Sequence, residues 1–285
     1  MHTMKIIALV ENDLADQHAD LVAEWGLSLY IKRQEKHILF DTGAKGALVR
    51  NAERLGVDLS HVDLAVLSHH HFDHGGGLPA FFAVNDHAKV YLRRPPDSES
   101  YFRALLVVNR FIGLEKGLLD RYQDRFVFID SFTEILPGAY IFTDIVRQHE
   151  LPKGNSHIYL KQPGGYIHDS FSHELVLALR DEDGLVVFTG CSHSGALNMI
   201  QTVAQRFPDD HIKGVVGGFH LVGIPALNTM AGSKAEMTDL ASTMFNLPID
   251  GYWTGHCTGQ KAYAALKSVL GDRLAEIHTG TTMTV

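Results

Sequence analysis

Six consecutive residues constrain this chain more than any other feature: His69-His70-His71-Phe72-Asp73-His74. They follow an apolar run at 63–68 (DLAVLS) that reads as a buried strand, and they lead into Gly75-Gly76-Gly77. His69, His71, Asp73 and His74 thus gather three imidazoles and a carboxylate at one strand end. Imidazole suits zinc, iron and nickel, and a carboxylate widens the choice to manganese. A loop this short does not easily wrap four side chains round one ion, so two groups of two feeding adjacent ions are the more natural arrangement. The glycines let the backbone approach closely and turn into the next helix. His70 is expected to face away and not to bind.

Histidine is also the one compositional anomaly, with 18 residues in 285. The chain carries 25 Lys and Arg against 33 Asp and Glu, a net charge of −8, which excludes a general nucleic-acid surface. Its two cysteines, Cys191 and Cys257, do not make a secreted disulfide framework. The apolar run near the start meets Glu11 at once, and no run reaches membrane-spanning length. The expectation is a cytoplasmic protein with a small anionic substrate and neither nucleic acid nor membrane as partner.

Apolar runs at 4–10, 28–32, 37–41, 63–68 and 89–92 read as strands, with helices at 44–55 and 78–84. Residues 95–125 open on Pro95-Pro96 and read as a mixed helical insertion. Strands are expected again at 126–130, 139–142, 157–161, 174–180 and 185–189, the last two joined by Asp181-Glu182-Asp183-Gly184 as a hairpin. Helices at 195–206, 234–245 and 259–269 then alternate with strands at 212–217, 249–254 and 273–277. Each half is strand-rich first and alternating later. The packing this implies is α+β, an αββα sandwich of two mixed sheets face to face with helices outside, built as one domain over 1–285 with the insertion near 95–125.

Three later histidines also follow apolar strands: His193 in GCSHSG, His220 in GGFHL and His256 in TGHCTG. His193 and His220 are further ligand candidates, with His173 a weaker one. Ser192 and Ser194 open a helix, whose backbone N–H groups would make a pocket for a substrate phosphate or carboxylate. Arg93 and Arg94, after a strand, are further anion-binding candidates. Cys257 is read as packing beside His256.

The HxHxDH pattern after an apolar strand resembles the metallo-β-lactamase superfamily, and Leu39-Phe40-Asp41-Thr42-Gly43 resembles its first motif. The resemblance implies that Asp41 buttresses the metal loop, and that His256 completes the second site with Asp73 and His74. Much of the superfamily carries Thr-Gly-Asp with a bridging aspartate where this chain has Thr189-Gly190-Cys191, so Cys191 becomes a metal-ligand candidate. Trp25-Gly26-Leu27-Ser28-Leu29-Tyr30-Ile31, Gly217-Gly218-Phe219-His220-Leu221 and Gly255-His256-Cys257-Thr258-Gly259 are similar to one branch. That branch is named after the dihydropterin–ribofuranosylaminobenzene 5′-phosphate synthase of the methanopterin pathway.

These readings converge on two divalent metal ions, zinc first with iron or manganese as alternatives, and a hydrolase in which Asp73 orients an attacking water. The resemblance also carries a transferase alternative. A non-catalytic, metal-containing ligand sensor is the third.

Overall fold

The run at 4–10 forms the strand Lys5–Val10, buried at five of its six positions. It pairs antiparallel with Ser28–Arg33, which turns back into Lys36–Phe40. That hairpin has no glycine in its turn, and Gln34 takes the left-handed conformation instead (φ 54°). The computed structural model describes residues 4–104, 108–227 and 229–285. They fold as two compact units. The first comprises the described residues up to Pro95 with Ile112–Asp130 and Ile277–Val285; the second comprises those of Pro96–Phe111 and Ser131–Glu276.

The first unit is built on a seven-stranded sheet in the order Thr282–Thr284, Lys5–Val10, Ser28–Arg33, Lys36–Phe40, Leu64–Val66, Lys89–Leu92, Phe126–Phe128. The last four strands run parallel. Helices Ala47–Arg54 and Leu78–Val84 supply Leu48, Ala52, Phe81 and Phe82 to a core shared with Leu39, Ala65 and Val90. Phe40 pairs with Val66, so two parallel strands end at the same sheet edge. That register brings Asp41 and the loop from Ser68 out side by side.

The second unit holds a seven-stranded sheet in the order Leu274–Glu276, Ile249–Thr254, Ile212–Val216, Gly184–Phe188, Val176–Asp181, Ala139–Phe142, Thr133–Leu136. Val176–Asp181 and Gly184–Phe188 form the expected hairpin, and the strands from Gly184–Phe188 to Leu274–Glu276 run parallel. Helices Ala196–Arg206, Lys234–Phe245 and Gln260–Leu270 are the crossovers. The register Phe188–Val216–Trp253 aligns three carboxyl ends at one edge. Ligands of open parallel sheets gather at such ends.

The segment near 95–125 departs from the helical expectation. Glu99–Ala104 and Val108–Phe111 are antiparallel strands of a four-stranded sheet completed by Ile158–Gln162 and Gly165–His168, in the second unit. Leu118–Arg121 is a single helical turn in the first unit. Residues 105–107, within the expected insertion, and residues 1–3 at the start lie outside the described residues. Long-range pairing and aromatic packing, with Tyr101 against Tyr166 and the Arg103 guanidinium 4.0 Å over the Tyr166 ring, override the local pattern. Among the described residues no helix is long and apolar enough to cross a membrane.

Candidate metal centre

In the first unit the site is organised around one buried carboxylate. Asp41 leaves the Lys36–Phe40 strand in the left-handed conformation (φ 59°) and is 1% exposed. Its Oδ1 accepts the Ser68 N–H at 2.7 Å, and its Oδ2 accepts the Ser68 hydroxyl at 2.7 Å. His74 Nδ1 lies 2.6 Å from Oδ2. An aspartate that already receives two donors acts as an acceptor, so His74 donates from Nδ1 and keeps the lone pair on Nε2. Ser68 has spent its proton on Asp41, so at the 2.9 Å contact its oxygen accepts from His69 Nδ1. The lone pair of His69 is then also on Nε2. One carboxylate thus sets two imidazole tautomers, which is how ligating histidines are commonly held.

The rest of the loop is fixed by backbone. Thr42 donates both its N–H (2.6 Å) and its hydroxyl (2.9 Å) to the His74 carbonyl. A Cβ on Gly76 would lie 2.1 Å from the Ala44 carbonyl, so only glycine lets the loop pass there. The His69 ring lies 4.5 Å from that of His71 and 4.2 Å from that of His74, centroid to centroid. Asp73 Oδ2 accepts the Trp25 indole N–H at 2.9 Å. His70 turns to the Arg93 carbonyl, with Nε2 at 2.7 Å. Arg93 and Arg94 are engaged with Asp130.

In the second unit three parallel strands deliver the later candidates. Gly184–Phe188 leads to Cys191 and His193, Ile212–Val216 to His220, and Ile249–Thr254 to His256 and Cys257. His193 Nδ1 lies 3.0 Å from Asn155 Oδ1, whose amide in turn donates to the His193 carbonyl at 2.8 Å. Phe171 stacks on the His193 ring at 4.3 Å, and the His220 ring lies 4.1 Å away on centroids. Both ring nitrogens of His220 are buried and make no well-formed hydrogen bond. An imidazole sealed from water without hydrogen bonds is costly, and a ring nitrogen bound to a cation offsets that cost. His173 is fully buried beside Asp169, at 3.2 Å.

The expectation of free amides at Ser192–Gly195 is corrected. The two oxygens of Glu174 accept the His193 and Ser194 N–H groups at 2.7 Å each, while the Ser192 and Gly195 amides are spent on backbone carbonyls. The Ser192 hydroxyl donates to the Gly218 carbonyl at 2.6 Å. The acceptor at this turn is therefore a carboxyl of the chain's own. Burial pushes the Glu174 carboxyl up to about 8, against the downward pull of Ser194 and of the two amides. Burial likewise raises the Cys257 thiol, but Cys191, His220 and the imidazole of His256 outweigh it and bring it well below the usual thiol range.

Six non-glycine residues among those described have positive φ, and four of them are Asp41, Ser192, His220 and His256. Such conformations cost about 1–3 kcal/mol each and cluster where function requires them. Glu174, Asn155 and Ser68 carry no site role in the sequence analysis. Trp25 entered it only as part of a motif.

A buried imidazole cluster braced by a carboxylate, on strand ends of mixed sheets, is what the superfamily comparison predicts. The family model of the metallo-β-lactamase superfamily matches residues 26–237, and the chain belongs to that superfamily. It is similar to the 7,8-dihydropterin-6-methyl-4-(β-D-ribofuranosyl)-aminobenzene-5′-phosphate synthase of Methanocaldococcus jannaschii. The two are 26% identical, over 97% of this chain and 95% of that protein. A crystal structure of a metal-dependent hydrolase of the β-lactamase superfamily matches with a TM-score of 0.80 and 27% identity, covering 99% of both chains. Zn²⁺-bound PqqB from Methylobacterium extorquens matches at a TM-score of 0.55 and 10% identity, covering 99% of this chain and 100% of that one. The chain has the α+β fold of these proteins, the αββα sandwich.

Proposed function

We propose that the chain is a dinuclear metal-dependent hydrolase of a small anionic substrate, working in the cytoplasm. Its proposed ligands are His69, His71, Asp73 and His74, and Cys191, His193, His220 and His256. The observation that carries this reading is the Asp41 network, which holds His74 and His69 with Nε2 as the donor atom. Bound divalent cations, zinc by donor type with iron or manganese as alternatives, would supply Lewis acidity and draw the ionisation of a water toward neutral pH. The metal-dependent hydrolase at 27% identity supports the same class.

The chain's own residues would position the reaction. Trp25 fixes the rotation of the Asp73 carboxylate, which is proposed to orient the attacking water. Asn155 and Phe171 hold the His193 ring from its edge and its face. Glu174 ties down the turn that carries it. The anionic character of the substrate follows from the positive charge that bound cations would place there, and no longer from free amides at Ser192 and Ser194.

A transferase reading has one specific support, the likeness to the synthase over nearly the whole chain. One experiment separates the readings. Metal-loaded and metal-stripped protein is assayed on phosphoester, thioester, lactone and amide substrates, and separately with a dihydropterin diphosphate plus the aminobenzene ribofuranosyl phosphate. Metal-dependent hydrolysis lost in Asp73→Ala supports the hydrolase. Condensation product replaces it with the transferase. Tight ligand binding without turnover leaves a sensor.

A further inference from the structure

We infer that Cys257, together with Cys191 and His220, forms a thiolate-rich Cys₂His site for a thiophilic divalent cation of the zinc class, carried entirely by the second unit. Each of three parallel strands supplies one donor to this site. Cys191 follows Gly184–Phe188, His220 follows Ile212–Val216, and Cys257 follows Ile249–Thr254. The two sulfurs and a His220 ring nitrogen all lie within 4.8 Å of one another. A tetrahedral ion with sulfur at about 2.3 Å and nitrogen at about 2.0–2.1 Å accommodates donors at such separations.

Three further observations point to a ligand rather than to ordinary packing. His220 is 8% exposed, and its ring nitrogens make no well-formed hydrogen bond, with the Cys257 sulfur as their polar neighbour. A packed histidine would find at least one acceptor for its obligatory N–H. Its backbone is left-handed (φ 51°), a conformation that holds the ring toward the sulfurs at a cost in strain. The Cys257 sulfur accepts the His220 backbone N–H at 3.3 Å, the kind of bond that steadies a coordinating thiolate. Gly218 completes the cradle, because a Cβ there would stand 2.4 Å from the Cys257 sulfur. The sequence reading gave Cys257 a packing role, since one cysteine beside a histidine carries no spacing signal. The partner donors arrive from 37 and 66 residues away.

The proposal deepens the metal-centre reading, since it assigns Cys191 and His220 a common partner, yet it makes no use of His69 or His74. Metal-stripped, reduced protein carrying His69→Ala and His74→Ala is titrated with cobalt(II). A thiolate-to-cobalt charge-transfer band is expected at one cobalt per chain. It should fall by about half in the same protein with Cys257→Ser, and cobalt should bind at least 10-fold more weakly with His220→Ala. Zinc-edge X-ray absorption of the double variant should show two sulfurs at about 2.3 Å, a readout that stands even if Cys257→Ser does not fold. A full band with Cys257→Ser, no sulfur at the zinc edge, or a Cys191–Cys257 disulfide in protein denatured without reductant would each overturn the site. Failure of the hydrolase reading would instead appear as unchanged turnover in His74→Ala with this band intact.

Discussion

His74 Nδ1 lies 2.6 Å from Asp41 Oδ2, and neither side chain has any exposure to solvent. The pair is too buried to be a surface ion pair, and the carboxylate also holds Ser68 through two bonds. Asp41→Asn keeps the volume but replaces one acceptor oxygen with a donor, which must then face the His74 N–H or the Ser68 donors. The expected result is zinc affinity lower by roughly 10–100-fold, measured by competition with a chromophoric chelator. A loss of about 1–3 kcal/mol in folding stability should accompany it. Unchanged zinc affinity would reduce Asp41 to a structural brace of Ser68 and His74.

Trp25 and Asp73 supply a graded test of the loop. Asp73→Ala should lower turnover by about 10²-fold or more while the circular dichroism spectrum stays that of the parent. Trp25→Phe removes only the indole N–H that Asp73 Oδ2 accepts. One hydrogen bond to a charged group is worth about 1.5–3 kcal/mol, so the expected loss is roughly 10–150-fold. Equal losses in the two variants, or none in Asp73→Ala, would count against the carboxylate as the group that orients water.

The cluster at 69–74 was legible because its donors are contiguous and follow an apolar strand, so spacing alone places them at a strand end. Asp41 was legible through the motif it shares with a family. Glu174 was not: at the start of the strand expected at 174–180 it carries no spacing signal, and only the fold brings it under the 193–194 amides. Asn155 was hidden for the same reason, 38 residues from the ring that it holds. The helix start at Ala196 was visible, yet whether its amides are free is a tertiary fact. The strands Glu99–Ala104 and Val108–Phe111 were missed because their pairing partner, Ile158–Gln162, lies far along the chain.

Glu174 therefore carries its own prediction. Each of its oxygens accepts one amide of the turn that bears His193. Glu174→Gln sets an NH₂ group against one of those amides and should cost about 1–3 kcal/mol of stability. Hydrogen exchange should quicken at the 193 and 194 amides more than across the sheet. If both amides keep parental exchange rates, Glu174 has no part in positioning the histidine.

Chelation should destabilise the whole protein rather than inactivate it alone. The imidazoles of His69, His74 and His220 are buried at 8% exposure or less, so without cations a cluster of polar rings stays sealed in the interior. A cation that binds only the folded chain, present at about 100 times its dissociation constant, adds about 2.7 kcal/mol. For a chain of 285 residues that corresponds to a melting temperature lower by roughly 5–10 °C after chelation. Adding zinc back should restore the parental value, and His74→Ala protein should show a smaller shift between the stripped and loaded states. A melting temperature indifferent to chelator, in protein shown by elemental analysis to have lost its metal, would mean that the histidine cluster is stable without cations and that the proposed centre does not form.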